Sequence, residues 1–314
     1  MATSAGDATT AGTGEVLRRI INAAREIHPG SSPATIKRKV FFIYRAFKSR
    51  ALLRDFYARM SRGSANAELV GSCDVVGVTE WPYINNAWTV ADRLNRMATH
   101  YEMLASMPDT LRAVDNRNAL HLVNLSKVSN GCEIVLDRAP WFKREGELVV
   151  NLFKEDIRVL SIPFIFGMQD ATPSILIGAI QGIHKGISTK DSLEIFKNLT
   201  KEFEGLRPRS LLLDVLRMIA NSLRIERLLA IADENRHHRH RYFGRLEPSK
   251  LGTSYNEIWV EHGGFASAVP GFYEIPATPI RKEPADIPSR KRAMYRRRYA
   301  ILAEIEREVR NSLG

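Results

Sequence analysis

One short segment carries the side chains best suited to acid–base chemistry. Tyr255 and Glu257 lie two residues apart in the run Tyr255–Val260, whose aromatic and β-branched residues predict a strand. Side chains two residues apart share one face of a strand, so a phenol and a carboxylate would stand together. Such a pair, with His240 as a further base, could move protons during acyl transfer to an amine. We therefore take Glu257, Tyr255 and His240 as catalytic candidates; the alternative is polar edge-strand positions beside Trp259.

A histidine-rich loop offers a second kind of chemistry. His237, His238 and His240 stand close together, and Glu257 follows downstream. A His-x-His pair with one carboxylate would suit zinc or non-haem iron. Three arginines interleave with the histidines: Arg236, Arg239 and Arg241. Because positive charge beside a cation is unfavourable, the pattern favours a basic loop that holds phosphate, with a metal-dependent enzyme as the alternative and no metal ligands assigned.

The elements that must position these side chains follow from the spacing of apolar residues. Turn residues separate five β-branched or aromatic runs, which predict an antiparallel meander: His121–Leu125, Cys132–Asp137, Glu147–Leu152, Ile157–Phe166 and Ser174–Gln181. Helical spacing then returns, restarts at Pro208, and is followed by a predicted strand at Leu228–Ala232. We therefore expect an α/β (α+β) fold with a central, mostly antiparallel sheet.

Four regions are predicted along the chain. Residues 1–14 form a disordered tail, 15–118 a helical region, 119–280 the α/β domain and 281–314 a basic C-terminal helix. The last region has ten basic and five acidic residues, close to half of the chain's net charge of +11. Its apolar stripe could dock on the domain, or its basic end could contact an anionic membrane.

Composition limits the classes of function. The excess of 46 basic over 35 acidic residues favours a polyanionic partner. Charge alone does not separate nucleic acid, an acidic lipid surface and a phosphate-rich cofactor, and no specific nucleic acid is expected. Two isolated cysteines and the absence of a long apolar run predict a cytoplasmic protein, at most peripheral at the inner membrane. P-loop, dinucleotide-binding and Ser or Cys nucleophile motifs are absent from the sequence.

Several blocks in a fixed order resemble the VirK/YbjX family of Gram-negative bacteria. They are Trp81-Pro82-Tyr83 with Trp88 and His100-Tyr101, then Ile177 to Gly182, Gly205 to Arg209, Tyr255 to Trp259, Gly271 to Pro276 and Pro288 to Tyr299. The resemblance implies an association with virulence, with the outer envelope and with tolerance of antimicrobial peptides, but no agreed reaction. Two positions depart from the family pattern: Ala179 replaces an expected basic residue and Asn256 an expected Asp.

The order of strands and helix around Pro208 is also similar to that of GNAT acyltransferases. That resemblance implies two strands that splay apart around the pantetheine of acyl-CoA, with the pyrophosphate on the N-terminus of the intervening helix. The residues that it assigns to the cofactor are Gln181, Gly182, Arg207, Arg209, Ser210 and Asn235. Pro208 removes one amide donor, which the flanking arginines could replace. The implied reaction is acyl transfer to an amine of an envelope component, peptide or metabolite; a non-catalytic protein that binds anionic partners is an alternative.

Overall fold

The computed structural model describes residues 12–61, 72–183, 186–244 and 254–314. The disordered tail predicted for residues 1–14 lies mainly outside the described residues, and its last two residues, Thr13 and Gly14, belong to the first helix. One hydrophobic cluster joins buried side chains from Val16 to Leu313. The predicted domain boundaries stay a prediction.

A mostly antiparallel sheet lies at the centre of the described fold. Its strands are β1 (Leu120–Asn124), β2 (Cys132–Asp137), β3 (Leu148–Lys154), β4 (Ile157–Gln169), β5 (Thr172–Ile177), β6 (Gln181–Gly182), β7 (Arg227–Ile231), β8 (Phe265–Ala266) and β9 (Phe272–Ile275). The strand order is β1-β2-β3-β4-β5-β7-β9-β8, with β6 paired to β4, and only β5 and β7 are parallel neighbours. The predicted fold class is confirmed, whereas the GNAT-like order stays a prediction.

The composition of strand β4 and the turn that follows it set its central position in the sheet. Its residues 159–167 are all buried, as expected for a strand that is covered on both faces. Asp170 and Ala171 connect it to β5 with left-handed φ angles of 50° and 62°. Two left-handed residues give a hairpin turn whose twist matches that of the strands, so the local sequence sets the pairing of β4 with β5.

Helices cover the sheet and extend it at the N-terminal side. They are α1 (Thr13–Ile27), α2 (Pro33–Lys48), α3 (Arg50–Met60), α4 (Cys73–Gly77), α5 (Val90–Ala105), α6 (Asp109–Arg112), α7 (Thr189–Glu202), α8 (Pro208–Ser222), α9 (Tyr255–Glu261) and α10 (Ser289–Leu313). Helices α5 and α8 pack on β4, while α10 packs on α8 and β1. The predicted C-terminal helix is therefore docked on the fold by its apolar stripe, which includes Leu302, Ile305 and Val309.

Two predicted strands need correction. The segment Tyr255–Val260 is helix α9, because Ser254 caps the N–H of Glu257 and the Asp233 carboxylate accepts from the N–H of Tyr255 at 2.8 Å. Those contacts satisfy the first free N–H groups of a helix and outweigh β-propensity in so short a segment. The strand predicted for Ser174–Gln181 is interrupted after Ile177 and resumes as the short strand β6 at Gln181, and both parts pair with β4.

Candidate active-site cleft

The candidate site forms where the parallel strands β5 and β7 separate. They pair over residues 174–177 and 227–230. Beyond that point the chain leaves β7 but stays beside β4, with which Gln181 and Gly182 pair. The carboxyl ends of β5 and β7 therefore diverge, and the loop and helix that follow them can reach between them.

Two aromatic side chains of α9 bond to the separated strand ends. The buried Tyr255 hydroxyl donates to the carbonyl of Ile180 at 2.8 Å and accepts from the same residue's N–H at 3.0 Å. The Trp259 indole N–H donates to the carbonyl of Ile231 at 2.9 Å. Buried backbone groups need partners, and here side chains supply those that the broken ladder leaves open. Burial also raises the pKa of Tyr255 to about 12, so the phenol stays protonated.

A cleft of about 590 Å³ opens beside Tyr255. Its apolar lining comprises Leu160, Ile180, Phe196, Pro208 and Ile258. Its basic lining comprises Lys197, Arg207, Arg209 and Arg236. The volume suits a small-molecule ligand, and the combination of an apolar wall with four cations suits one that carries both an apolar chain and phosphate groups.

The start of α8 concentrates positive charge on one side of the cleft. Pro208 occupies the first turn and Arg207 the N-cap position, where the helix dipole favours an anion. The Arg207 guanidinium pairs with Glu261 at 2.7 Å, and burial lowers the pKa of Arg209. Across the cleft, the Arg236 guanidinium stacks on the Tyr255 ring at 3.6 Å. These three arginines could hold an anion that enters beside the helix.

Glu145 adjoins the cleft and was not identified from the sequence. Its side chain is 7% exposed and accepts a hydrogen bond from the amide of Gln181, which lies between two cleft residues, Ile180 and Gly182. Burial raises the pKa of Glu145 to about 7, against the opposing effects of the Gln181 hydrogen bond and the Arg236 charge. A carboxyl that titrates near neutral pH beside a cleft is suited to general acid–base catalysis.

Glycine contacts and a neutral histidine hold Glu145 in place. A methyl group at Gly178 would lie 1.8 Å from the Glu145 carbonyl oxygen, and one at Gly146 would lie 2.5 Å from the backbone N of Phe164. The turn thus packs tightly against neighbouring backbone. The His237 Nδ1 atom lies 3.6 Å from Glu145 Oε1, and burial lowers the pKa of His237 to about 3, so this imidazole is neutral at physiological pH.

Some of the predicted site residues come together at this cleft. Gly182, Arg207, Arg209 and Tyr255 line it, and Gln181, next to Gly182 in the chain, donates a hydrogen bond to Glu145. These residues are far apart in the sequence, and the GNAT resemblance is the signal that grouped all but Tyr255. Their roles stay predictions.

The other predicted site residues lie elsewhere. Glu257 is exposed on α9, and the idea that it shares a strand face with Tyr255 is wrong, because residues two apart point in different directions on a helix. Ser210 contacts His262 at 3.1 Å, and Asn235 donates to Asn85 at 3.3 Å. His240 lines a different groove of about 920 Å³. The catalytic role of Glu257 stays a prediction without support from its position.

The structure also bears on the predicted metal site and on the position of Asn256. Among the described residues, no three His, Cys, Asp or Glu side chains converge in a way that could hold a metal ion. The Asn256 carboxamide accepts from the N–H of Asp233 at 2.9 Å, a contact that an Asp could also make. Its amide group donates to the Glu234 carboxylate at 3.3 Å, which an ionised Asp could not do, so this departure from the family pattern changes one local contact.

A family comparison covers most of the chain. A family described as "Protein of unknown function (DUF535)" matches residues 32–311. That range includes α2 and α3, which lie upstream of the blocks that carried the sequence resemblance, and begins after α1. Within the described residues no helix is long and apolar enough to span a bilayer.

Curated relatives show the same similarity. The chain is 28% identical to the uncharacterized protein YbjX of Escherichia coli over 234 residues, which cover 73% of this chain and 68% of that protein. It is also 28% identical to an uncharacterized protein of Haemophilus influenzae over 214 residues, 68% of each chain. No solved structure matches with significance.

Proposed function

The chain belongs to the family described as "Protein of unknown function (DUF535)", and from the geometry of its cleft we propose that it transfers an acyl group from a coenzyme A thioester to an amine. The observation that carries this proposal is the cleft itself. It lies at the diverging ends of parallel strands, beside a helix N-terminus, and combines four cations with an apolar wall. Helix N-termini and arginines bind phosphate, while the apolar wall suits the acyl and pantetheine chain.

The proposed reaction needs a group that accepts a proton from the amine. The amine nitrogen forms a bond to the thioester carbonyl, the carbon–sulfur bond breaks, and the amine loses one proton. Glu145 is our candidate to accept this proton, since its pKa of about 7 leaves it largely able to do so just above neutral pH. Tyr255 already donates to the Ile180 carbonyl, so water supplies the proton that the leaving thiolate takes up.

The same proposal includes the amine that receives the acyl group and the cellular location. The family resemblance points to an amine of an envelope component, a peptide or a metabolite, in keeping with its implied association with virulence. Both cysteines, Cys73 and Cys132, are free thiols, which supports a reducing compartment and hence a cytoplasmic location.

Calorimetry with acetyl-CoA and longer acyl-CoAs tests the proposal. We expect binding by the intact protein, and a loss of roughly 10-fold or more in affinity when Arg207→Gln and Arg209→Gln are combined, because each charge-assisted hydrogen bond contributes about 1.5–3 kcal/mol. Arg290→Gln is the matched control, since Arg290 is exposed at the start of α10 and does not line the cleft. Absence of binding at millimolar ligand would disprove the proposal.

A further inference from the structure

Helix α2 has apolar side chains on two faces, and only one of these faces is buried. Phe42 and Ala46 are fully buried against the fold. A second stripe points to solvent at a spacing of four, four and three residues: Ile36, Val40, Tyr44 and Phe47. These four side chains are 50%, 59%, 55% and 44% exposed. Such spacing places them on one side of the helix, so α2 presents a continuous apolar surface without a partner in the described structure.

The same helix is strongly basic. Between Pro33 and Lys48 it has five basic residues and no acidic one: Lys37, Arg38, Lys39, Arg45 and Lys48. Cations also contact the stripe directly, since the Lys48 ammonium lies 4.9 Å from the Tyr44 ring and the Arg50 guanidinium 4.5 Å from the Phe47 ring. The exposed face of α2 therefore combines aliphatic, aromatic and cationic groups.

Helix α10 provides an internal contrast. It is also basic, but its apolar stripe is buried in the fold. Arg297 pairs with the Glu204 carboxylate at 2.7 Å, and Arg298 donates to the Glu204 carbonyl. Positive charge alone attracts an anionic surface weakly, whereas charge and an insertable apolar face act together. Of the two basic helices, α2 has the composition of an interfacial helix.

We propose that α2 docks the protein on an anionic lipid bilayer. The helix would lie in the plane of the interface, with the stripe of Ile36, Val40, Tyr44 and Phe47 at the boundary of headgroups and acyl chains and the flanking cations on lipid phosphates. The charge of α2 argues against a second copy of the chain as the occupant. Two α2 helices, each with five cations of which Arg45 pairs with Glu80, would repel one another. This surface is independent of the acyl-transfer proposal.

Co-sedimentation with vesicles of phosphatidylcholine, alone or mixed with increasing phosphatidylglycerol, tests this docking at low and physiological ionic strength. We expect binding that increases with phosphatidylglycerol and decreases with salt. Replacing Lys37 and Lys48 with Gln should weaken it about 30-fold, at ~1 kcal/mol for each cation. The variant Val40→Gln/Phe47→Gln should weaken it at least 10-fold, as apolar burial is lost.

The control variant is Val260→Gln, which removes a similarly exposed apolar side chain from α9 and should bind as the wild type does. All of these substitutions are at exposed positions, and urea denaturation should show unchanged folding. Salt-sensitive binding that is unchanged in the Val40→Gln/Phe47→Gln variant would overturn the proposal, since any basic surface could then account for vesicle binding. Self-association that this variant abolishes, without vesicle binding, would also overturn it and assign the stripe to a second copy.

Discussion

Glu145 and Glu147 are two residues apart and equally buried, each 7% exposed, yet their surroundings are opposite. Glu147 lies in a saturated network, where it accepts from the hydroxyls of Tyr83 at 2.9 Å and Tyr101 at 2.6 Å and from Arg138 at 3.1 Å. A cation and two hydroxyls compensate its buried charge. Such a group holds neighbouring elements together.

Glu145 has far weaker compensation. Its side-chain contacts are the amide of Gln181, which donates one hydrogen bond, and the neutral His237 at 3.6 Å. The Arg236 charge acts from farther away, and burial still raises the pKa of Glu145 to about 7. The difference teaches that burial alone does not mark a functional carboxylate. At Glu145 the partners leave the effect of burial on the pKa dominant.

The largest effect is expected at Glu147. Glu147→Ala removes the carboxylate that pairs with Arg138 inside the fold, and breaking a buried pair costs about 3–5 kcal/mol of unfolding free energy. Urea denaturation followed by circular dichroism measures this loss. Glu306→Ala is the control, because Glu306 pairs with Arg310 on the exposed side of α10 and should cost under about 1 kcal/mol. Equal losses for the two variants would contradict the structural role of Glu147.

Glu145→Gln should change the pH dependence of stability. Between the ordinary pKa of 4.5 and about 7, the folded state holds a proton that the unfolded state releases, so the unfolding free energy falls as pH rises. At ~1.4 kcal/mol for each pKa unit, the total fall is roughly 3 kcal/mol. The Glu145→Gln variant lacks this decrease in unfolding free energy. Urea denaturation from about pH 4 to about pH 8 measures the difference in unfolding free energy between the wild type and the variant. A constant difference across that range would refute the raised pKa.

Gln181→Leu should raise the pKa of Glu145 further, because the lost amide donor stabilises the ionised form. A hydrogen bond to a charged group contributes about 1.5–3 kcal/mol, which corresponds to roughly one to two pKa units. The pH midpoint of acyl transfer, or of a carboxyl stretching band that Glu145→Gln removes, would report the shift. An unchanged midpoint would mean that Gln181 does not control Glu145.

Tyr101→Phe should have the smallest effect. The phenylalanine ring keeps the aromatic contacts and removes one hydrogen bond to Glu147. Because Tyr83 and Arg138 still bond to Glu147, we expect a loss of about 1.5 kcal/mol of unfolding free energy, the lower end of the range for a hydrogen bond to a charged group. Thermal denaturation at neutral pH is sufficient to detect it. Catalytic activity and its pH midpoint should be unchanged, since neither Tyr101 nor Glu147 lines the cleft. A shifted midpoint would show that the two carboxylates are coupled.

Elements with long periodic patterns could be predicted from the sequence. The helix at Ser289–Leu313 and the meander through β5 follow from spacing that local residues set by themselves. Helix α9 was predicted as a strand because its aromatic and β-branched residues outweighed the local cap signal of Ser254 and Glu257, and its second cap, Asp233, lies more than twenty residues upstream. In the sequence Glu145 looks like a polar residue of a turn, and its burial depends on a close contact with Gly178 that only the fold creates. Interactions between distant segments create the site, and no local pattern encodes them.

The bond between Tyr255 and Ile180 has a consequence for hydrogen exchange. The N–H of Ile180 is held by a side chain of α9 and not by a neighbouring strand, so its exchange with deuterium requires movement of α9 and does not require opening of the sheet. The amides of β5 up to Ile177 belong to the sheet and report its opening instead. A ligand that fills the cleft against Tyr255 should therefore slow exchange at Ile180 while leaving the β5 amides unchanged, which makes this single amide a local sensor of cleft occupancy.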